Sequence, residues 1–124
     1  IVVAGHSFGG MLSLLLAERE TDLRAAVVFA AAARSWEASP GLRARLLAAV
    51  DHSNAPVLFV YAANDYSVAP ARELSAEMTR RHKLSQSHIY PAFGTTANQG
   101  HNLVYNSLST WEQDVFAFLD DPTS

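Results

Sequence analysis

The chain opens Ile-Val-Val-Ala-Gly-His-Ser-Phe-Gly-Gly, and these ten residues constrain the fold more than any other stretch. An apolar run (Ile1 to Ala4) meets a Gly5-x-Ser7-x-Gly9 turn, and Met11, Leu12, Leu15 and Leu16 follow with helical spacing. The pattern predicts a strand, a sharp turn and a helix. A serine held in a strained turn needs neighbours without Cβ, so that strand and helix can close on each other. Its hydroxyl then stands at the carboxyl end of the strand, beside the positive end of the new helix. A chance G-x-S-x-G arises in about one chain in twenty-five of this length. The pentapeptide alone therefore leaves a plain Gly/Ser turn open, and the decision falls to the residues downstream.

Taken in order, Phe8 to about Glu20 reads as a helix, apolar on nearly every side and so expected to be covered on both flanks. Leu23 to Ala30 is a continuous apolar and β-branched run, the pattern of a parallel strand buried on both faces. Ala31 to Pro40 is a loop containing Trp36, and Gly41 to about His52 a helix with Leu42, Leu46, Leu47 and Val50 on one face. Val57 to Ala62 is a third strand, followed by Asn64-Asp65-Tyr66-Ser67. Pro70 to about His82 is a helix and Ser87 to Tyr90 a short strand. Pro91 to Asn102 is a long loop, and Leu108 to Leu119 a last helix with Trp111, Val115, Phe116 and Leu119 on its buried stripe. Strand and helix alternate four times. That predicts an α/β fold, a parallel sheet with helices on both faces joined by right-handed crossovers.

Length bounds the chain to a single domain, residues 1–124. With 49% hydrophobic residues and a formal charge of −3, nothing points to nucleic acid or a membrane surface. No apolar run reaches the length of a membrane span. The absence of cysteine excludes disulfides and thiolate metal sites but leaves the compartment open. Asp and His residues do not fall at metal-ligand spacings and no Gly-rich phosphate loop is present, so no cofactor is expected.

In sheets of this kind, sites form at the carboxyl ends of strands. Three such positions hold Ser7, Asp65 just past the third strand, and His101 in the loop after the fourth. Their chemistry is complementary. A serine hydroxyl becomes a useful nucleophile when a base takes its proton, and an imidazole can take that proton and return it to the leaving group. A carboxylate then holds the imidazole in one tautomer and stabilises the imidazolium. Each position also has a plainer reading. Asp65 could cap the following helix. His6, His52, His82 and His88 compete with His101, but two lie at helix ends and His88 within a strand. His6, next to Ser7 in sequence, is expected to point away and pack under the turn.

The order Ser, acid, His, the Gly5-His6-Ser7-Phe8-Gly9-Gly10 elbow, the D-x-x-V-x-P run from Asp65 to Pro70 and Gly100-His101 together resemble the α/β-hydrolase superfamily. The resemblance runs from the elbow strand to the last helix and is nearest to dienelactone-hydrolase-like esterases. Those named for dienelactone hydrolysis usually carry Cys at the nucleophile, so Ser7 favours a serine esterase. The resemblance implies catalytic Ser7, Asp65 and His101, an oxyanion donor at the Phe8 amide, and a second donor on a loop ahead of the elbow. It makes Trp36 and Tyr66 candidates for lining the substrate site, with a tryptophan shielding a helix end as the plainer alternative for Trp36. It also places the strands in simple sequential order.

These readings imply a serine hydrolase that cleaves small carboxylic esters through an acyl-enzyme. Acyl transfer or peptide cleavage by the same triad, or a non-catalytic module that binds a ligand or a partner chain, are the alternatives. Because the chain starts inside a strand that the resemblance makes central, self-association or pairing with a further N-terminal half is expected along that edge.

Overall fold

The apolar runs become the strands of one sheet. In the computed structural model, which describes residues 1–123, β1 is Val2–His6, β2 Ala25–Phe29, β3 Val57–Ala62 and β4 Ser85–Tyr90. All neighbours pair in parallel, in the order β1-β2-β3-β4. Helices α1 (Phe8–Arg19), α2 (Pro40–Asp51) and α3 (Ala69–Arg80) follow the first three strands. After β4 come α4 (Ala97–His101), α5 (Leu103–Asn106) and α6 (Leu108–Asp120). The fold is α/β, a parallel sheet with helices on both faces.

Burial follows the expected two-faced cover. Every residue of β2 and β3 is buried, because a parallel strand inside the sheet has a helix layer on each side. On one face Leu14, Ala17, Leu46, Val50, Leu74 and Met78 from α1, α2 and α3 pack on Val28, Phe59 and Tyr61. On the other, Val115 and Phe118 of α6 cover Val27, Phe29, Leu58 and Val60. A fully buried aromatic or leucine side chain of this kind contributes about 1.5–3 kcal/mol.

Four details differ from the sequence reading. β2 is shorter than the Leu23 to Ala30 run, since Ala30 turns to φ 54 and leaves the strand. β4 starts two residues earlier, at Ser85, because pairing with Val57 of β3 extends it. Phe116 is not on the buried stripe of α6: it is 62% exposed, and Phe118, one helical turn beyond Val115, takes the inward position. α1 is covered on one flank only. Leu12 is half exposed, because β1 is the outer strand and, among the described residues, nothing packs beyond it. Among the described residues no helix is long and apolar enough to cross a membrane.

Candidate active site

Ser7 lies between β1 and α1 at φ 57, ψ −114, a backbone conformation that a non-glycine residue adopts only under constraint. Two main-chain hydrogen bonds hold it there. Its N–H donates to the Phe29 carbonyl at 2.8 Å, and its own carbonyl accepts from the Met11 N–H at 3.2 Å. Gly5 lets the helix close over the strand: a Cβ there would stand 2.2 Å from the Gly9 carbonyl oxygen. Gly9 itself faces open space, so the close approach falls on Gly5 and, through Ala31, on Gly10.

Asp65 follows β3, its side chain wholly buried, with its N–H tied to the Ala62 carbonyl at 3.1 Å. Oδ1 accepts the Tyr66 N–H at 2.6 Å and the His101 Nδ1–H at 2.9 Å. Oδ2 is buried and has no hydrogen-bond partner among the described residues, so the carboxylate leans on the two donors at Oδ1. With Nδ1 donating to Asp65, Nε2 is the basic nitrogen, and it accepts from the Ser7 hydroxyl at 3.0 Å. Beneath them the Tyr61 hydroxyl donates to the Ala31 carbonyl at 2.6 Å. Burial, reinforced by the nearby Asp65 charge, pushes that phenol well above its ordinary pKa and keeps it neutral.

The stretch Pro91 to Asn102 is not all loop, because residues Ala97–His101 form α4 and carry the histidine. Its signal was present in the sequence. Thr96-x-x-Gln99 is a capping box, in which the Thr96 hydroxyl accepts from the Gln99 N–H at 3.1 Å and the Gln99 side chain accepts from the Thr96 N–H at 3.0 Å. Asn64, the neighbour of Asp65, clamps this segment. Its Nδ2 donates to the carbonyls of Phe93 and Thr96, at 2.8 and 2.9 Å, and its Oδ1 accepts the Phe93 N–H at 3.0 Å. Gly100 lies so near that a Cβ would meet Asn64 Oδ1 at 2.4 Å. A lone asparagine in a turn gives no sequence sign of such a reach.

The remaining candidates separate. Phe8 opens α1 with an exposed side chain, and its amide is among the first-turn N–H groups that lack an intrahelical acceptor. Tyr66 stands at the rim, 38% exposed, its ring edge-on to His101 at 5.5 Å with the Arg34 guanidinium 5.1 Å from its centroid. Trp36 corrects the expectation of a substrate-lining aromatic. It is 1% exposed, and its indole N–H donates to Glu73 Oε2 of α3 at 2.9 Å. Ala30 and Ala32, both at positive φ, fold the loop so that the indole turns into the core. His6 does not simply pack under the turn either, because its Nε2 donates to the His101 carbonyl at 2.7 Å. His52 caps α2 through the Ala48 carbonyl, and His88 stacks on Tyr90 in β4, both remote from Ser7 in the fold.

A cavity of about 490 Å³ lies away from this cluster: it is an apolar groove on the outer flank of β1 and α1, lined by Val3, Leu12, Leu15, Leu16 and Arg19 among others. The groove offers no titratable group except Arg19, whereas Ser7, His101 and Asp65 meet in one hydrogen-bonded chain.

Solved structures bear the same architecture. A Klebsiella pneumoniae subsp. pneumoniae MGH 78578 protein assigned as a dienelactone hydrolase matches with a TM-score of 0.69 at 20% identity, over 97% of this chain and 51% of that one. A Pyrococcus furiosus esterase matches at 0.72 and 14%, over 97% and 52%. A Pyrococcus horikoshii acylaminoacyl peptidase matches at 0.71 and 13%, over 95% and 23%. The chain thus spans about half the length, or less, of these proteins, and at such identities the likeness is one of fold. No curated protein matches the chain. Residues 1–119 match the profile of the dienelactone hydrolase family, and with the elbow, strand order and residues described above the chain belongs to that family.

Proposed function

We propose that Ser7, His101 and Asp65 form the catalytic triad of a serine hydrolase that cleaves carboxylic esters through an acyl-enzyme. The observation that carries this reading is the continuous hydrogen-bonded chain from Ser7 Oγ through both ring nitrogens of His101 to Asp65 Oδ1, at 3.0 and 2.9 Å. In this scheme His101 takes the Ser7 proton as Oγ attacks the ester carbonyl, then returns it to the departing alkoxide. Asp65 holds the Nδ1–H tautomer and steadies the imidazolium. The Phe8 amide donates to the developing oxyanion and Tyr66 lines the rim. Losing a single oxyanion donor of this kind would lower the rate by about 10² to 10³. An acylaminoacyl peptidase among the similar structures favours peptide cleavage as the second reading.

The open flank of β1 supports pairing along that strand with a second chain or a further segment of the hydrolase. Ile1 is almost fully exposed and Val2 is 42% exposed beside the apolar groove, a surface that invites a strand partner. Stoichiometric labelling of Ser7 by a fluorophosphonate probe, with hydrolysis of a short-chain aryl ester, tests the catalytic reading. A folded chain whose Ser7 resists the probe supports a binding module instead.

A further inference from the structure

His6 closes β1, immediately precedes Ser7, and takes no part in the Ser7–His101–Asp65 chain. Its Nε2 nevertheless lies 2.7 Å from the carbonyl oxygen of His101, 95 residues away in sequence. A carbonyl only accepts, so Nε2 carries the proton and donates. The carbonyl belongs to the last residue of α4, where helix carbonyls run out of intrahelical N–H partners. The His6 and His101 rings lie 5.0 Å apart at 50°, and Tyr105 meets the His6 ring edge-to-face at 4.8 Å.

The dipeptide His6-Ser7 therefore grips His101 at two points, the ring through Ser7 Oγ and the main chain through His6 Nε2. Besides the ring contacts, the histidine backbone is held by the short segment α4 to α5 and by the Asn64 clamp ahead of it. The second contact ties that backbone to the end of the strand that carries the nucleophile. The separation of nucleophile and base is then set largely by the covalent geometry of two adjacent residues.

We propose that His6 is a positioning residue for His101, acting as a neutral Nε2–H donor that fixes the main chain of the general base. The inference rests on the reading of Ser7 and His101 as nucleophile and base. Burial is the largest influence that pulls the His6 pKa below its ordinary value, and charge on His101 pulls the same way, against the carbonyl contact and Asp65. His6 thus stays uncharged while His101 takes up the serine proton, and does not compete for it.

The geometry makes the test specific to one atom. The glutamine amide nitrogen reaches the distance of imidazole Nε2, while that of asparagine stops near Nδ1. His6→Gln should keep the rate of fluorophosphonate labelling and kcat within about threefold of wild type. His6→Asn and His6→Leu should lose about ten- to a hundredfold in kcat with KM hardly changed. Proton NMR of the same full chains supplies a second readout. The His101 Nδ1 proton facing Asp65 should give a downfield resonance in wild type and His6→Gln, broadened or lost in His6→Asn and His6→Leu. If wild type labels and His6→Asn labels equally fast with an unchanged resonance, the positioning role is overturned and the triad reading stands. Equal losses in all three variants also overturn it, since they would mean simple packing. If wild-type Ser7 never labels but the resonance still follows the Gln/Asn difference, the catalytic reading fails and the positioning role stands. Should His6→Leu not fold, the Gln and Asn pair decides alone.

Discussion

β1 and β3 both read as short apolar runs, and each is followed by a member of the hydrogen-bonded Ser7–His101–Asp65 chain. Their surroundings are unlike. β3 is paired on both sides and all six of its residues are buried, from Val57 to Ala62. β1 is paired on one side, and its apolar residues, with Leu12 of the next helix, face an open groove. Even so, each is held by a main-chain hydrogen bond, Ser7 by one to β2 and Asp65 by one within its own turn. The difference teaches that site geometry depends on the carboxyl ends of the strands, while stability depends on how their middles are covered. A strand can be poorly covered and still present its terminal side chain in place.

The sharpest way to break that comparison is at the two strand ends. Ser7→Ala and Asp65→Asn should each lower ester turnover by about 10⁴ or more despite the unequal cover of their strands. His52→Ala and His82→Ala should leave turnover near wild type; equal losses would mean that His101 is the wrong histidine. The middles should behave oppositely. Phe59→Ala in β3 removes a fully buried ring and should destabilise by about 3–5 kcal/mol in urea unfolding. At concentrations low enough to keep the chain monomeric, Leu12→Ala on the open flank should change stability by no more than about 0.5 kcal/mol. A comparable loss at both would show that the flank is covered in solution.

The flank itself can be sharpened by sedimentation. The chain is expected to associate at micromolar concentration, and Leu12→Lys to weaken that association at least about tenfold by placing a charge in the apolar groove. A well-folded, fully active wild-type monomer would break the expectation.

The smallest effect concerns His6. Its folded pKa lies below the unfolded value, so between the two the unfolded chain binds more protons. Its contribution to stability is therefore complete above about pH 6.5 and shrinks as pH falls toward the depressed pKa. A pH series of urea unfolding should show a slope in that window for wild type that His6→Gln lacks.

Much of this was legible along the chain. The elbow, the continuous runs of β2 and β3 and the helices α2 and α3 follow from local periodicity, turn residues and proline placement, each a property of a few neighbouring residues. Chain order brought Ser7, Asp65 and His101 to the same edge, because parallel strands joined by helices must all end on one side. The short helix α4 was also written locally, in its capping box, although within a stretch otherwise rich in turn residues.

The sequence by itself thus determined the elements, their parallel arrangement and the residues that gather at the carboxyl edge. The tertiary structure alone decided what each of those residues touches. Trp36 turns inward to Glu73, Asn64 clamps the segment ahead of α4, His6 reaches the His101 carbonyl, and Phe116 yields the buried position to Phe118. The physical reason is range. Propensity and periodicity act over a few residues, whereas these contacts join positions 29 to 95 residues apart or depend on which surface a helix meets, and only the packed sheet brings such groups within hydrogen-bond distance.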